Sequence, residues 1–376
     1  MNFKVTNSYS RDNLNYESGN VKNIHYGDIH TKFQTLFDLE KENVPYLNED
    51  ISLNRIPEDF YCQEGDIIFA DASEDLNDVG KSIEIINLNG EKLLSGLHTL
   101  LARPQKNNFS KGFLGYLFKS DYVRNQIKRE SQGSKVLSIN VGRISNIHLV
   151  YPSILEQQKI SEFLSLLDKR ILYSMKIIEK LKTLMKGSRE KIFSQKLRLK
   201  DENGNYFSDW RIEYLGNIST ITTGSSNRVD SILDGDYTFF DRSQDIRTSS
   251  QYLFDKEAII VPGEGQEFIP KYFVGKFDLH QRTYAIFDFL QINGRFLYYQ
   301  ILSDDRYLQS QAVGSTVKSL RLPMFQSMPI KLPCLKEQIK IADFLSFIQE
   351  KIETEKQILE KLELQKKFLL TNLFAL

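Results

Sequence analysis

One long stretch of the sequence occurs twice, and this duplication constrains the fold more than any other feature. Residues 152–193 align without a gap on residues 333–374, at a constant offset of 181 residues and with 15 of 42 positions identical. The same offset extends upstream to a shorter pattern, Gly-Ser-x-Val-x-Ser, at residues 133–138 and 314–319. A period this long indicates two domains of one plan rather than a solenoid of short repeats.

Weaker matches continue upstream, where the offset drifts as loops change in length. The matched pairs are Phe113-Leu114 with Phe296-Leu297, Leu97-His98 with Leu279-His280, Val79-Gly80-Lys81 with Val274-Gly275-Lys276, and Ile67-Ile68 with Ile259-Ile260. Each copy therefore consists of a variable globular part followed by a constant helical part. The predicted boundaries are 1–151, 152–200, 201–332 and 333–376.

The constant parts carry heptads, in which apolar residues alternate by fours and threes. Such a sustained 3.5-residue period favours a coiled-coil seam over a lone surface helix. We expect the two helices to pair antiparallel with each other, and the alternative is that each binds a separate protein. The predicted seam residues are Ile160, Leu164, Leu167, Ile171, Ile178 and Leu181 in the first copy, and Ile341, Leu345, Ile348, Ile352, Leu359 and Leu362 in the second.

The variable parts are predicted to mix helices and strands, which gives an α+β fold with a pseudo-twofold internal repeat. Short β-branched or aromatic runs bounded by Gly, Asp and Asn predict strands at 66–70, 82–86, 258–261 and 283–287. Helical patterns follow at 112–130 and 294–311.

Charge alone does not identify a partner, because 49 basic and 49 acidic residues balance. The segment 152–200 nevertheless carries 12 Lys and Arg against 5 Asp and Glu, which suits either a solvated helix face or one facing phosphates. Polar loops also contain the side chains that pair with base edges, although a generic polar loop has the same composition. The candidate DNA-binding residues are Arg11, Asn13, Lys22, His25, His30 and Lys32 in the first copy, and Asn227, Arg228, Arg242, Gln244, Arg247 and Gln251 in the second.

The sequence predicts no catalytic site, no metal and no cofactor. Val79-Gly80-Lys81-Ser82 resembles the end of a phosphate-binding loop, but position 75 is Asp where that loop needs glycine. None of the nine prolines is followed by another, so the Pro-Pro-aromatic motif of an amino-methyltransferase is missing. Five histidines and two cysteines show no convincing metal-ligand spacing.

The repeated pattern Pro-x-x-x-Glu-Gln-x-Lys-Ile…Phe-Leu opens a long heptad helix at the end of each divergent half. This arrangement of two divergent halves, each followed by the motif and its helix, resembles the specificity subunits of type I restriction-modification systems over nearly the whole chain. The resemblance implies two target recognition domains, 1–151 and 201–332, which together read a bipartite sequence in double-stranded DNA. It implies a spacer formed by 152–200 and 333–376, two methyltransferase (modification) subunits docked on it, and restriction-translocase subunits. The partners would supply adenine methylation and ATP-dependent cleavage.

One departure from the family pattern concerns the first half. The second half opens with Trp210, Leu215-Gly216-Asn217-Ile218 and Thr223-Gly224, and the first half has no counterpart. Either that opening has diverged or about 25 residues are missing, as judged from the repeat.

Two other classes of function stay open on the residues alone. A coiled-coil scaffold could present the two globular domains to proteins instead of DNA, whereas a fused methyltransferase or nuclease would need motifs that this chain lacks. No run of about 18 apolar residues and no signal peptide is evident, so we expect a cytoplasmic protein without a membrane partner.

Overall fold

The structure is a computed structural model, and it describes residues 1–5, 9–54, 56–105 and 108–374. The backbone divides into two compact units, each with its own packed core. Unit 1 comprises Met1–Met175 with Gln357–Leu376, and unit 2 comprises Lys176–Lys356. Each unit therefore takes one globular part and a portion of each long helix.

The globular part of unit 1 has eleven strands and four α-helices among the residues described. Its elements are β1 (Asn2–Val5), β2 (Leu14–Asn15), β3 (Lys22–Ile24), α1 (Tyr26–Thr31), β4 (Leu36–Asp38), β5 (Tyr46–Leu47), β6 (Ile67–Ala70), β7 (Ala72–Ser73), β8 (Ser82–Asn87), β9 (Leu93–Ser95), β10 (Thr99–Arg103), α2 (Phe113–Leu117), α3 (Asp121–Glu130), β11 (Leu137–Ser138) and α4 (Val141–Ile144).

Two long helices flank the globular part of unit 2 in the sequence. The elements run α5 (Ile154–Phe193), β12 (Arg211–Tyr214), α6 (Leu215–Ile218), β13 (Thr220–Thr223), β14 (Tyr237–Phe240), β15 (Arg247–Ser249), β16 (Phe254–Pro262), β17 (Glu264–Gly265), β18 (Lys271–Leu279), β19 (Thr283–Phe287), α7 (Gly294–Ser303), α8 (Asp305–Gln311), β20 (Lys318–Ser319), α9 (Leu322–Gln326), β21 (Pro329–Leu332) and α10 (Leu335–Asn372). The four strands predicted from sequence are present, and each predicted globular helix is divided into two.

The two sheets share a core of four strands in the same order. In unit 1 the order β1-β10-β6-β8 is antiparallel throughout, and in unit 2 β13-β19-β16-β18 repeats it. The central strand β6 is fully buried because both of its faces are covered, as its unbroken apolar run predicts, and β16 is buried over residues 258–262. The duplication inferred from sequence is thus also a duplication of topology.

This topology corrects two details of the sequence comparison. Strand β1 takes the place of β13, so the first half does have a counterpart to the second half's opening strand. Within that opening, β12 and α6 have no equivalent in the described part of unit 1. The match of Gly80-Lys81 with Gly275-Lys276 was also wrong. The first pair precedes β8, whereas the second lies within β18 opposite residues 255 and 256.

Segments of the two long helices pack on the globular part within each unit. In unit 1, Ile160 and Leu164 share an apolar cluster with Leu369 and Leu373. The Nζ atom of Lys366 lies 2.5 Å from Oδ1 of Asp168, so later residues of α5 lie beside earlier residues of α10, as antiparallel packing requires. In unit 2 the apolar cluster joins residues of α5 and α10 in the same way: Met185, Ile192, Ile341, Leu345 and Ile348.

The predicted seam follows the burial pattern of both helices. All twelve seam residues are shielded from solvent. Leu164, Leu167, Ile178, Ile341, Leu345, Ile348 and Ile352 are buried, and the remaining five, Ile160, Ile171, Leu181, Leu359 and Leu362, are half-buried.

A repeated glutamine joins each long helix to the loop before its globular helices. The Oε1 atom of Gln157 accepts a hydrogen bond from the Ser110 N–H at 3.0 Å, and its Nε2 atom donates to the Pro152 carbonyl oxygen at 2.9 Å. Gln338 likewise accepts from the Asn293 N–H at 2.8 Å and donates to the Pro333 carbonyl oxygen at 2.9 Å. In both copies the Gln of the repeated motif therefore holds the start of the long helix against the loop that precedes the globular helices.

Candidate nucleic-acid interface

The first candidate cluster in unit 1 is organised by a buried carboxylate. The Asp28 side chain is 1% exposed, and its Oδ1 atom lies 3.1 Å from Nη2 of Arg11 and 2.9 Å from Nζ of Lys32. Asp28 lies in the first turn of α1, where the helix dipole also favours a negative charge. Both cations are half-exposed and are therefore held at the surface by one internal anion.

Aromatic rings lie beside these cations. The ring of Tyr26 contacts those of His25, His30 and His98, with centroids 4.7, 5.9 and 5.3 Å apart. The Nδ1 atom of His25 accepts the Gly27 N–H, which caps α1. Burial, and next the charge of Arg11, lower the pKa of His25, so its imidazole is neutral at physiological pH.

Residues that follow β6 in the chain contact this cluster and help to fix the position of His30. Ring nitrogen Nε2 of His30 lies 3.1 Å from the Ala72 carbonyl oxygen, and the Lys81 ammonium donates to the His30 carbonyl oxygen at 2.8 Å. His98 Nδ1 lies 3.3 Å from Asp71, a carboxyl group whose pKa is raised by burial.

Two of the six candidates in unit 1 do not join the cluster. The ammonium group of Lys22 lies 2.9 Å from Glu91 and 5.2 Å from the centre of the Tyr46 ring, so its charge is already neutralised. The Asn13 side chain closes a turn by accepting the Ser10 N–H at 3.2 Å. The structure therefore brings together Arg11, His25, His30 and Lys32.

The cluster in unit 2 is also built around a buried carboxylate. The Asp241 side chain is 2% exposed, and its Oδ2 atom lies 3.7 Å from Nε of Arg228 and 3.6 Å from Nε of Arg247. Burial would raise the pKa of Asp241, but hydrogen bonds from Ser243 and the charges of both arginines lower it overall. The carboxylate is therefore ionised and holds two arginines at the surface.

A second acid extends the unit 2 cluster. Glu264 pairs with Arg282 through both carboxylate oxygens at 2.8 and 2.9 Å, and Arg242 lies 3.5 Å from it. The Lys271 ammonium donates to the Ser243 carbonyl oxygen at 2.6 Å and so fixes the loop between β14 and β15.

The amide candidates lie around this cationic group. Asn227 Oδ1 accepts a hydrogen bond from Nε2 of Gln281 at 2.7 Å, which orients both amides. Gln244 is exposed on the β14–β15 loop, and Gln251 is exposed just after β15.

The two clusters occupy equivalent places in the two units. Each lies where a central strand ends: the His30 ring contacts the Ala72 carbonyl oxygen just after β6, and Glu264 follows β16. In each unit a histidine, His98 or His280, comes just before β10 or β19, which hold the same place in the two sheets. Burial lowers the pKa of His280, as it does that of His25.

Sequence reasoning missed the residues that organise these clusters, namely Tyr26, Asp28, Asp241, Glu264 and Arg282. The one sequence signal for the position of these clusters was the recurrence of His98 and His280 in the repeat. Within the ranges described above, no group of three or more His, Cys, Asp or Glu residues could hold a metal ion. Nor is any helix there long and apolar enough to cross a membrane.

The sequence matches the family model of the type I restriction modification DNA specificity domain twice, over residues 16–183 and 191–364. Among curated relatives, the EcoDI specificity subunit of Escherichia coli is 30% identical over 41% of this chain and 34% of its own length. The putative MjaX specificity subunit of Methanocaldococcus jannaschii is 25% identical over 99% of this chain and 89% of its own length.

Solved structures share the fold. The type I restriction-modification S subunit from M. genitalium superposes with a TM-score of 0.62 at 15% identity, over 100% of this chain and 93% of that one. These similarities do not favour the alternative of a scaffold for protein partners. The chain belongs to the type I restriction-modification DNA specificity family and carries two copies of its specificity domain.

Proposed function

We propose that this chain is the subunit that reads a bipartite DNA sequence for a type I restriction-modification complex. Residues 1–151 and 201–332 act as target recognition domains, and residues 152–200 and 333–376 act as the spacer between them. The chain itself carries no chemistry. Methyltransferase subunits supply adenine methylation, and restriction-translocase subunits supply ATP-dependent cleavage.

The observation that carries this proposal is the equivalent position of the two polar clusters. Duplicated domains that present different side chains at one place suit two half-sites of different sequence on one duplex. Arginine pairs with guanine edges, and asparagine and glutamine pair with adenine edges. Unit 2 presents arginines and amides, whereas unit 1 presents one arginine with lysine and histidines, so the two half-sites are expected to differ.

Buried acids make these clusters suitable for recognition. Asp28 and Asp241 hold their cations in place before any ligand binds, so less side-chain entropy is lost on binding. Phosphate contacts from lysine and arginine then fix the position of the duplex, and base-edge contacts specify the sequence.

We assign the docking of methyltransferase subunits to an exposed apolar pair that recurs in both long helices. Phe163 and Leu166 are 48% and 62% exposed, and their counterparts Phe344 and Phe347 are 39% and 58% exposed. Apolar side chains this exposed at the same positions of both copies are not part of the buried core of either unit. Two copies of one partner subunit would account for their recurrence.

The experiment that tests the function is base-resolved methylation mapping in cells that express the chain with its neighbouring methyltransferase gene. The unaltered chain should produce a bipartite methylated sequence that disappears when the chain is deleted. Exchange of residues 201–332 for another recognition domain should change one half of that sequence and leave the other intact. A change in both halves at once would contradict the modular proposal.

Docking is tested by Phe163→Glu and Phe344→Glu, with Tyr173→Glu as the matched control. Tyr173 is 62% exposed on the same helix, but its counterpart in the second copy is Thr354. Each single Phe variant should lower the number of methyltransferase subunits per complex from two to one, as measured by light scattering, and the control should retain two. Two subunits bound to the double Phe variant would rule out this surface.

A further inference from the structure

A hairpin of nearly constant sequence lies beside each candidate cluster. It occupies residues 133–138 in unit 1 and 314–319 in unit 2, and both copies share the pattern Gly-Ser-x-Val-x-Ser. The backbone of Ser138 exchanges two hydrogen bonds with that of Gln132, at 2.9 and 2.7 Å. Ser319 and Val313 repeat this pair at 3.0 and 2.8 Å. The two hairpins thus have the same sequence pattern and the same closing geometry.

The geometry of the turn requires only the glycine of the shared pattern. Gly133 and Gly314 have φ values of +134° and +121°, and a Cβ atom would lie 1.9 and 2.3 Å from the carbonyl oxygens of Val136 and Val317. Only glycine fits such a position. The remaining shared residues are exposed except for Ser319, which is half-buried, and the valines are 52% and 47% exposed. Neither turn geometry nor core packing therefore requires the shared valine and the first serine.

The hairpins are attached directly to the strands that carry the candidate clusters. In unit 1, Ser138 pairs with Ala72, whose carbonyl oxygen contacts the His30 ring. In unit 2, Ser319 pairs with Glu264, which holds Arg242 and Arg282. A duplex that contacts either cluster would therefore meet the neighbouring hairpin.

The two clusters differ in side chains, whereas the hairpins beside them are alike. A loop that read bases would be expected to differ between domains with different targets. A loop that contacts the sugar–phosphate backbone meets the same chemistry at every sequence. The Ser134 and Ser315 hydroxyls can donate hydrogen bonds to phosphate oxygens, and Lys135 adds an exposed positive charge.

We infer that the hairpins 133–138 and 314–319 are equivalent phosphate clamps that fix each recognition domain on DNA without reading its sequence. This inference rests on the proposed function, because it needs each cluster to face DNA. It assigns different roles to two parts of each domain: the cluster selects bases, and the adjoining hairpin contacts the sugar–phosphate backbone of the DNA.

The test compares Ser134→Asp, Ser315→Asp and their combination with Ser208→Asp in the full chain. Ser208 is an exposed serine outside both hairpins, so its variant controls for the added charge. Binding is measured by fluorescence anisotropy with the mapped target and with a duplex whose two half-sites are scrambled. Each hairpin variant should bind both duplexes roughly threefold to tenfold more weakly, because the new charge repels phosphate. The control should bind like the unaltered chain.

Two further variants distinguish a lost contact from a damaged fold. Ser315→Thr keeps the hydroxyl and should retain affinity. Lys135→Ala should reduce the slope of log affinity against log salt by about one, the loss of one phosphate contact. Unchanged thermal unfolding of each variant would show that the hairpin still folds.

Four outcomes would overturn the inference. Unchanged affinity of the double variant would exclude the hairpins from the DNA interface, and weaker binding to the target duplex alone would make them base readers. Loss of methyltransferase binding with DNA binding intact would assign them to a protein partner. Failure of the unaltered chain to bind either duplex at low salt would overturn the proposed function as well.

Discussion

The Nε2 atom of Gln338 donates a hydrogen bond of 2.9 Å to the carbonyl oxygen of Pro333, which lies five residues earlier and just before α10. Gln157 and Pro152 form the same bond at the same length before α5. Each glutamine is 1% exposed and also accepts a backbone N–H from the loop preceding the globular helices. The repeated motif therefore couples the start of a long helix to its neighbouring domain.

Removal of either glutamine side chain should weaken this junction. Gln338→Ala leaves the Asn293 N–H and the Pro333 carbonyl without their partner, and an unsatisfied buried polar group costs about 1–3 kcal/mol. We expect the free energy of unfolding in urea to fall by about that amount, and Gln157→Ala to behave alike.

The neighbouring Gln158 supplies the control for this prediction. Its side chain is exposed and contacts only Glu162 of the same helix among the hydrogen bonds described. Gln158→Ala should change the free energy of unfolding little. Equal losses for Gln157→Ala and Gln158→Ala would mean that the junction hydrogen bonds add no stability.

Two glycines of unit 2 should respond to alanine with opposite signs. Gly187 lies inside α5, and no atom lies within 4 Å of where its Cβ would be, so Gly187→Ala should stabilise by about 0.5–1 kcal/mol. Gly314 has a φ of +121° and no room for a Cβ, so Gly314→Ala should destabilise by about 1–3 kcal/mol. Urea unfolding measures both changes in the free energy of unfolding. Changes of the same sign would show that the backbone conformations at Gly187 and Gly314 do not differ in their need for glycine.

Sequence periodicity predicted the helices and their buried faces well because local spacing determines which side chains share one face. The four predicted strands were found for the same reason. The organising acids of the clusters were missed because their role depends on distant partners. Asp28, for example, is 17 residues from Arg11 in the chain, and no local pattern marks it as the carboxylate that collects two cations.

The pairing of strands explains the two errors in the comparison of the repeats. The repeated Val-Gly-Lys triplet matched by letter, yet strand register places its two copies at different depths of the sheet. Strand β1 shows little sequence likeness to β13, but both satisfy the same antiparallel edge. Backbone hydrogen bonding accepts many sequences, so a strand can be equivalent in topology without being recognisable in sequence.

The half-buried Lys119 should make stability depend on pH. Burial, and next the charges of Lys366 and Lys81, lower the pKa of Lys119 to about 7 from an ordinary value of 10.5. Between these values the folded chain binds fewer protons at this position than the unfolded chain, so the free energy of unfolding rises with pH. Lys119→Met should remove this part of the slope, as measured by urea unfolding at several pH values from 6 to about 10.

An exposed lysine on the first long helix provides the comparison for this titration. Lys169→Met changes the same residue type at a solvated position and should keep the slope of the unaltered chain. A slope that is identical in the Lys119 variant would show that this ammonium group is no harder to charge in the folded protein than in the unfolded one.

Arg242 should specify bases in the second half-site alone. Its side chain is 51% exposed on the β14–β15 loop and lies 3.5 Å from Glu264, so it is positioned but still able to reach a base edge. Arg242→Ala should relax the preference at one base position by about 1–3 kcal/mol and leave the first half-site unchanged, as measured by competition binding with single-base variants of the target. Arg211→Ala, which removes a 61% exposed arginine on β12, should alter no base preference. If Arg242→Ala weakened binding equally to every sequence, Arg242 would be a phosphate contact, and the division of labour between cluster and hairpin would not hold in this domain.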